Sequence, residues 1–429
     1  MIRRDQYLNK LIKKEWNGRI KVITVIRRCG KSTILFELFK KHLLESGVSA
    51  QNIIEIALDQ NRYVSLRDPD VLAEYLRKQL SSPGEKYYCF IDEIQYAISS
   101  EELKNADKPV RMYSVLNELL GYKNVDVYVT GSNSKLLSKD ISTEFRGRGD
   151  VIQVYPLSFR EFCDGTGMDM RDAYDEYMMY GGMPYIVSLD SDEEKMQYLN
   201  DLFEEIYFKD IEERYQINLP GVLRDLTNVL CSSVGSLTNA SKIAKTVKST
   251  KNISVDSETI STYLKYLTDS FLFSEACRYD VKGRKYFEYP SKYYCTDVGL
   301  RNARLGFRQI EETHIMENMI YNELLVRGYS VDVGVVAIRQ TDENNKVSQK
   351  NCEIDFIARK GSRIYYIQSA LSMNDPEKEK TELRPFNAIR DSFRKIVVSR
   401  SYGKSWIDDS GILHIGLLDF LFDQNSLDR

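Results

Sequence analysis

The stretch Ile23–Leu35, ITVIRRCGKSTIL, decides the fold. It begins in a short β-branched, apolar run, IKVITVI over residues 20–26, which reads as a buried strand. It ends in Gly30, Lys31, Ser32 and Thr33, and the following ILFELFKKHLLES has helical periodicity. Strand, turn and a helix opening with Gly-Lys-Ser is the arrangement of a phosphate-binding loop, G-x-x-x-x-G-K-[ST]. The position that wants the first glycine holds Val25.

Working outward, three more apolar runs read as strands: NIIEIALD (52–59), KYYCFIDEIQ (86–95) and VDVYVTGSN (125–133). DPDVLAEYLRKQL (68–80) and VRMYSVLNELL read as helices between them, and residues 1–18 read as a polar amphipathic helix. The alternation predicts a P-loop NTPase-type α/β fold, a parallel sheet with helices on both faces. Ligands of such sheets bind beyond the carboxyl ends of the strands. Gly30–Thr33, Asp92–Glu93 and Gly131–Asn133 all fall at such ends.

Triphosphate oxygens need many N–H donors at close range, and a helix N-terminus supplies them. The expected ATP-binding residues are Arg28, Cys29, Gly30, Lys31, Ser32 and Thr33. Lys31 would reach the β- and γ-phosphates, and Ser32 with Asp92 would hold Mg²⁺. Glu93 would orient or deprotonate the attacking water, and Asn133 would sense the γ-phosphate. Valine is stiff and poorly suited to positive φ. Two readings therefore stand at Val25: an ATPase with weakened affinity or turnover, or a regulator whose nucleotide site is impaired.

The chain has 429 residues, enough for about three domains. Hydrophobic residues make up 42% and charged residues 29%, an ordinary globular composition. A net charge of −3 gives no global pull toward nucleic acid or membrane, so any basic surface is local. The seven cysteines form no C-x-x-C pair, and none of the three histidines sits at ligand spacing to one. Reduced thiols, no zinc and a cytoplasmic setting are expected. The start is charged throughout, and no apolar run approaches membrane-spanning length, so no membrane partner is expected.

After VIQVYPLSFREF (151–162) the pattern is mostly helical to about 215, interrupted by YGGMPY (180–185). LTNASKIAKTVKST and SVDSETISTYLKYLTDS then read as two helices joined by a turn. FLFSEACRYDVKG and RKYFEYPSKYYCTD read as a β-hairpin, which completes a winged-helix layout. From about 312, HIMENMIYNELLVRGY reads as a helix leading into strands EIDFIARKG and RIYYIQSA, then a helix–strand pair.

IRRCGKSTIL, FIDEIQ, VTGSNSKLLS, FRGRGDVIQVYPLSFREF and YGGMPY together resemble the prokaryotic AAA-type ATPases, relatives of the archaeal ATPase group. The likeness continues through RYDVKGRKYF, KYYCTDVGLRNARLG, MENMIYNEL and EIDFIA, covering nearly the whole chain. In that family the loop reads G-x-R-R-x-G-K-[ST]; Arg27, Arg28, Gly30, Lys31 and Ser32 match, and Val25 departs. The resemblance implies an ATPase core (1–155) with a helical extension (156–217), a winged helix (218–306) and a C-terminal restriction-endonuclease-like domain (307–429). It also implies an arginine finger or sensor, for which Arg148 is favoured over Arg146. A finger acting between copies implies a homo-oligomer, or else a protein partner.

DNA is one expected partner of the winged helix, and a protein is the other, since winged helices also serve as protein-interaction modules. Residues 240–305 hold twelve Lys or Arg against seven Asp or Glu. Lys242, Lys245 and Lys248 share one helical face, and Lys282, Arg284 and Lys285 sit at the hairpin tip, where a wing meets a phosphate backbone. The nuclease resemblance points to Glu317, Asp355 and Gln368 as metal-site positions. Its lysine, two residues after Gln368, is Ala370, so the site reads as degenerate, and nothing in the sequence points to Lys380 or Lys395 as a substitute. A DNA nuclease remains the third reading.

Overall fold

A computed structural model of the chain describes every residue except 1, 25, 81, 83, 100, 103–109, 132–146, 252, 342–346 and 374–375; for 250, 251, 287–289, 339–341, 347, 376 and 378 it describes the backbone alone. Two compact units result, one of Met1–Tyr155 with Asp269–Phe271, the other of Pro156–Thr268 with Leu272–Arg429.

The first unit is built on five parallel strands: β1 Ile20–Thr24, β2 Ile53–Ala57, β3 Tyr87–Asp92, β4 Val125–Gly131 and β5 Gly149–Gln153. Their order is β2-β3-β4-β1-β5. Around them lie α1 Asp5–Ile12, α2 Lys40–Glu45, α3 Pro69–Gln79 and α4 Arg111–Leu119. A π-helical turn, Thr33–Phe39, runs directly into α2.

Both faces of this sheet are buried, so its strands read as continuous apolar runs. On β3, Cys89 and Ile91 face one core with Leu72, Leu76, Met112 and Leu116. Tyr88 and Phe90 point the other way, into an aromatic cluster where the Phe39 and Tyr128 ring centroids are 4.9 Å apart. Asp68 starts α3 by accepting the Asp70 N–H at 2.9 Å, with Pro69 at the first turn.

Two expectations change here. The opening helix ends at Ile12, because the chain turns at Trp16 (φ 54°), whose N–H donates to Asp126 Oδ2 at 3.0 Å. The segment around VIQV, left unassigned by its pattern, is the fifth strand, paired in parallel with β1 from Ile20↔Gly149 to Thr24↔Gln153.

The second unit starts with helices: α5 Phe159–Thr166, α6 Met170–Tyr180, α7 Asp192–Asp201, α8 Lys209–Tyr215 and α9 Pro220–Ser232. Next come β6 Leu237–Thr238, α10 Ala240–Lys251, α11 Ser257–Asp269, and the antiparallel pair β7 Phe273–Asp280 and β8 Lys285–Cys295. After α12 Val298–Arg304 and α13 Glu312–Val326 follow β9 Ser330–Thr341, β10 Val347–Lys360, β11 Arg363–Ala370, α14 Pro376–Asn387, β12 Arg394–Ser399, β13 Trp406–Ile407, β14 Leu413–Gly416 and α15 Leu417–Phe422. One nine-stranded sheet runs through this unit in the order β13-β14-β12-β11-β10-β9-β7-β8-β6. The hairpin β7–β8 joins it by parallel pairing of β7 with β9, from Arg278↔Val333 to Asp280↔Val335.

YGGMPY and TDVGLRN, distant in sequence, meet here. Asp297 caps α12 by accepting the Leu300 N–H (3.0 Å) and also accepts the Gly182 N–H (2.7 Å). Burial pushes this carboxyl up to about 6, against the backbone N–H groups of Gly182, Leu300 and Gly299. Asn302 donates to the carbonyls of Met178 (3.0 Å) and Met179 (2.9 Å). A Cβ on Gly299 would lie 2.0 Å from the Tyr180 carbonyl oxygen, so only glycine permits the approach. These two segments act in packing.

Candidate functional site

The loop after β1 is shaped by two left-handed residues, Arg28 (φ 67°) and Gly30 (φ 86°). Left-handed residues between right-handed ones turn successive N–H groups toward one side, the geometry of an anion nest. A Cβ built on Gly30 meets nothing within 4 Å, so the space beside the loop is open. The far side is fastened by Arg4, which donates to the carbonyls of Cys29 (3.4 Å) and Tyr155 (2.7 Å). The Ile34 N–H closes the first helical turn on the Gly30 carbonyl at 3.0 Å.

Four expected site residues converge. Ser32 Oγ donates to Asp92 Oδ2 at 2.7 Å, and Lys31 Nζ lies 2.9 Å from Glu93 Oε1. The convergence follows from strand order: β4 lies between β1 and β3, so the loop and the acid pair flank its carboxyl end. That end supplies Thr130, a residue sequence reasoning missed. Its hydroxyl donates to Asp92 Oδ1 and accepts the Glu93 N–H at 3.0 Å. Gln95, also missed, donates to Glu93 Oε2. A threonine at the last turn of an apolar strand was the available signal for Thr130; nothing distinguished Gln95.

The two acids differ electrostatically. Burial raises the Asp92 carboxyl above its ordinary value, and the neighbouring Glu93 adds to this; the Thr130 and Ser32 hydroxyls oppose it. Burial would raise Glu93 as well, but Lys31 and Gln95 outweigh it and hold Glu93 below the ordinary range. Glu93 takes a left-handed backbone conformation (φ 55°), which turns its side chain back toward Lys31. Ser32 and Asp92 offer hard oxygen ligands side by side, which suits Mg²⁺. Among the described residues no three His, Cys, Asp or Glu gather around a metal position. An ion here would therefore complete its shell with substrate phosphate and water, as Mg²⁺ commonly does.

Not every expected residue arrives. Val25, Asn133 and Arg146 lie outside the described residues. Arg148 is exposed, and its carbonyl accepts the Ile20 N–H at 3.0 Å, which places it at the amino end of β1. The loop leaves the other end, roughly 13 Å along the strand at about 3.3 Å per residue. The chain does not bring Arg148 to its own site.

In the second unit, Lys242, Lys245 and Lys248 are exposed along α10, and Lys282, Arg284 and Lys285 surround the β7–β8 turn. Lys282 Nζ donates to the Ala337 carbonyl at 2.8 Å. The three nuclease-like positions fall on α13, β10 and β11. Glu317 accepts from Tyr294 (2.7 Å) and from Lys292 (3.0 Å), while Lys292 also pairs with Glu353 at 2.6 Å. Asp355 accepts the Ser369 N–H at 2.8 Å, and Gln368 donates to Glu382 at 2.9 Å. Burial and the nearby Glu317 push the Asp355 carboxyl well above its ordinary value; Lys292 opposes them.

The motif lacks its lysine, but an ammonium from elsewhere lies beside these acids. Lys380 is exposed and Lys395 donates to the Ile389 carbonyl, whereas the ammonium beside these acids is that of Lys292 on β8. Lys292 was invisible to a motif because it lies upstream on another element. Burial works against its charge, but Glu317, Asp355 and Glu353 outweigh burial and raise its pKa.

Strand order, loop and acid pair define the first unit as a P-loop NTPase-type domain of the AAA class. Residues 17–163 match a family model described as an AAA domain, and residues 171–311 match one described as a domain of unknown function (DUF8612). An uncharacterized protein of Haemophilus influenzae is 33% identical over 421 residues, covering 97% of this chain and 98% of its own. An uncharacterized protein of Methanocaldococcus jannaschii is 30% identical over 391 residues, covering 87% and 79%. The chain belongs to the family of these two proteins, and its residues 17–163 carry the AAA domain. A looser likeness links it to the Aeropyrum pernix ORC2 structure, with TM-score 0.40 and 10% identity over 73% of this chain and 93% of that one. No described helix is long and apolar enough to cross a membrane.

Proposed function

We propose that the chain binds and hydrolyses ATP with Mg²⁺ and couples this to a nucleic-acid-facing second unit. The observation that carries the reading is the pairing of Ser32 with Asp92 and Lys31 with Glu93 at the carboxyl ends of the central strands. In this reading the loop N–H groups and Lys31 bind the β- and γ-phosphates. Mg²⁺, held by Ser32 and Asp92, supplies charge neutralisation. Glu93 takes the proton of the attacking water, and Thr130 and Gln95 position the two acids. Arg148 would act on the site of a second copy, so turnover would require assembly.

Lys31→Ala is expected to weaken ATP binding about 10- to 100-fold, the loss of one charge-assisted bond of ~1.5–3 kcal/mol. Calorimetry with a non-hydrolysable ATP analogue and a phosphate-release assay measure this. If wild type binds no nucleotide and Val25→Gly does not restore binding, the ATPase reading is wrong, and the regulator with an impaired site takes its place.

For the second unit, we read residues 218–306 as a winged helix and 307–429 as restriction-endonuclease-like. Support comes from two helices followed by a hairpin, with Lys242, Lys245 and Lys248 exposed along α10. One observation favours nuclease action: Lys292 supplies an ammonium next to Glu317 and Asp355. That reading predicts Mg²⁺- or Mn²⁺-dependent cutting of DNA that disappears in Asp355→Ala. Intact DNA from wild type across both metals removes it.

A further inference from the structure

A groove with a cavity volume of about 890 Å³ opens where the β7–β8 turn, strands β9 and β10, and the segment after α14 come together. Its cations are Lys282, Arg284 and Arg390, and its acids Asp280 and Asp391. Both acids are occupied by the fold. Asp280 Oδ1 accepts the N–H groups of Lys282 (3.1 Å) and Gly283 (2.9 Å). Asp391 accepts the Tyr366 hydroxyl (2.7 Å) and the Phe393 N–H (3.2 Å). Lys282 is bound to the Ala337 carbonyl and fastens the turn to the sheet, and the Val281 N–H does the same on the Val335 carbonyl at 3.0 Å.

Arg284 and Arg390 are different. Both are exposed, and no hydrogen bond or ion pair among the described residues engages either guanidinium. They stand on two walls of one groove, the turn and the loop beyond α14. The floor between them is apolar, with Ala337, Ile338 and Ala388, and the carboxamides of Gln349 and Asn387 line it. Two free guanidiniums, a rigid turn, an apolar floor and carboxamides suit a chain of phosphates whose sugars and bases turn inward. An acidic peptide would meet the guanidiniums equally well but would leave the floor and the carboxamides without work. The volume lies within the range of ordinary ligand clefts, too narrow for a duplex to enter.

We infer that this groove binds a single nucleic-acid strand, with Arg284 and Arg390 on its phosphates. The inference deepens the nucleic-acid reading above but names another surface and another form of the polymer than the exposed lysines of α10.

Fluorescence anisotropy with full-length protein and a labelled fifteen-residue oligothymidylate tests it. Arg284→Gln/Arg390→Gln is expected to weaken binding at least about tenfold and to flatten the dependence of log affinity on log salt by about 1.4 units for two lost phosphate contacts on a single strand. Both side chains are exposed, so the variant should keep the wild-type thermal melt; if it does not, each single substitution is measured, and each should weaken binding. Lys123→Gln/Lys404→Gln, exposed cations that do not line the groove, should leave oligothymidylate binding unchanged. Wild-type affinity in both arginine singles, no oligothymidylate binding by wild type at low salt, or equal displacement by polyglutamate would overturn the inference.

Discussion

Glu93→Gln is expected to lower the rate of phosphate release about 10²-fold or more, the usual contribution of a positioned general base. It is also expected to tighten ATP binding. Lys31 and Glu93 pair across 2.9 Å, with side chains 4% and 16% exposed. In the proposed ATPase the pair would tie the group for binding to the group for chemistry. A γ-phosphate would have to draw the ammonium away, and in doing so would release the carboxylate for work on water. Glutamine removes the competing charge. Exchanging a charge-assisted bond for a neutral one leaves a difference of ~1 kcal/mol, roughly a fivefold gain in affinity. Lys31 and Gln95 hold the Glu93 carboxyl below its ordinary value, so the carboxylate is charged at neutral pH. Its stabilising contribution is present above the ordinary glutamate range and is lost as pH falls through the lowered value. The affinity gain should thus be constant from pH 6.5 to 8.5. Calorimetry and single-turnover phosphate release test both halves. Unchanged affinity would show that the ion pair does not compete with nucleotide.

The second large effect is one of stability. Lys292→Met is expected to cost about 3–5 kcal/mol, the range for removing one partner of a buried ion pair. Lys292 is 4% exposed and serves both Glu317 and Glu353, with Asp355 close enough to interact. Methionine of similar length would leave those acids without a cation. The pH dependence has a definite sign. The folded pKa of Lys292 is raised, so its contribution is complete below the ordinary lysine value and constant between pH 5 and 8. Asp355 is also raised, which for an acid means that the cost of its charge is absent at low pH and grows as pH rises through the folded value. The deficit of Lys292→Met should therefore shrink from pH 8 to pH 5. Urea unfolding at three pH values measures it, and wild-type stability at pH 8 would refute the account.

The nucleotide-site core was legible because it is written in contiguous signals. A β-branched strand runs into Gly-Lys-Ser, and an apolar strand ends in Asp92–Glu93. Thr130 was not legible, because its role depends on β4 lying between β1 and β3, a fact of pairing and not of pattern. Arg148 shows the converse. A motif suggested a place near phosphate, but register with Ile20 puts it at the far end of β1. Lys292 escaped for a similar reason: the expected lysine was sought on the strand that carries Gln368, and the fold brings one in from β8. Strand β5 was missed because Gly149–Gln153 is short and polar at its start, so its edge position is set by pairing with β1.

The nine-stranded sheet has a bearing on where this chain can be divided. Its β7–β9 pairing links a hairpin that ends at Cys295 to strands that begin at Ser330. A boundary near residue 306, natural on motif grounds, would cut through that ladder. Either fragment would then present a bare strand edge with unmet N–H and C=O groups, a template for association with other chains. The hairpin and the C-terminal strands therefore share one ladder that neither can complete alone. Recombination that exchanged one without the other would have to replace the edge it exposed.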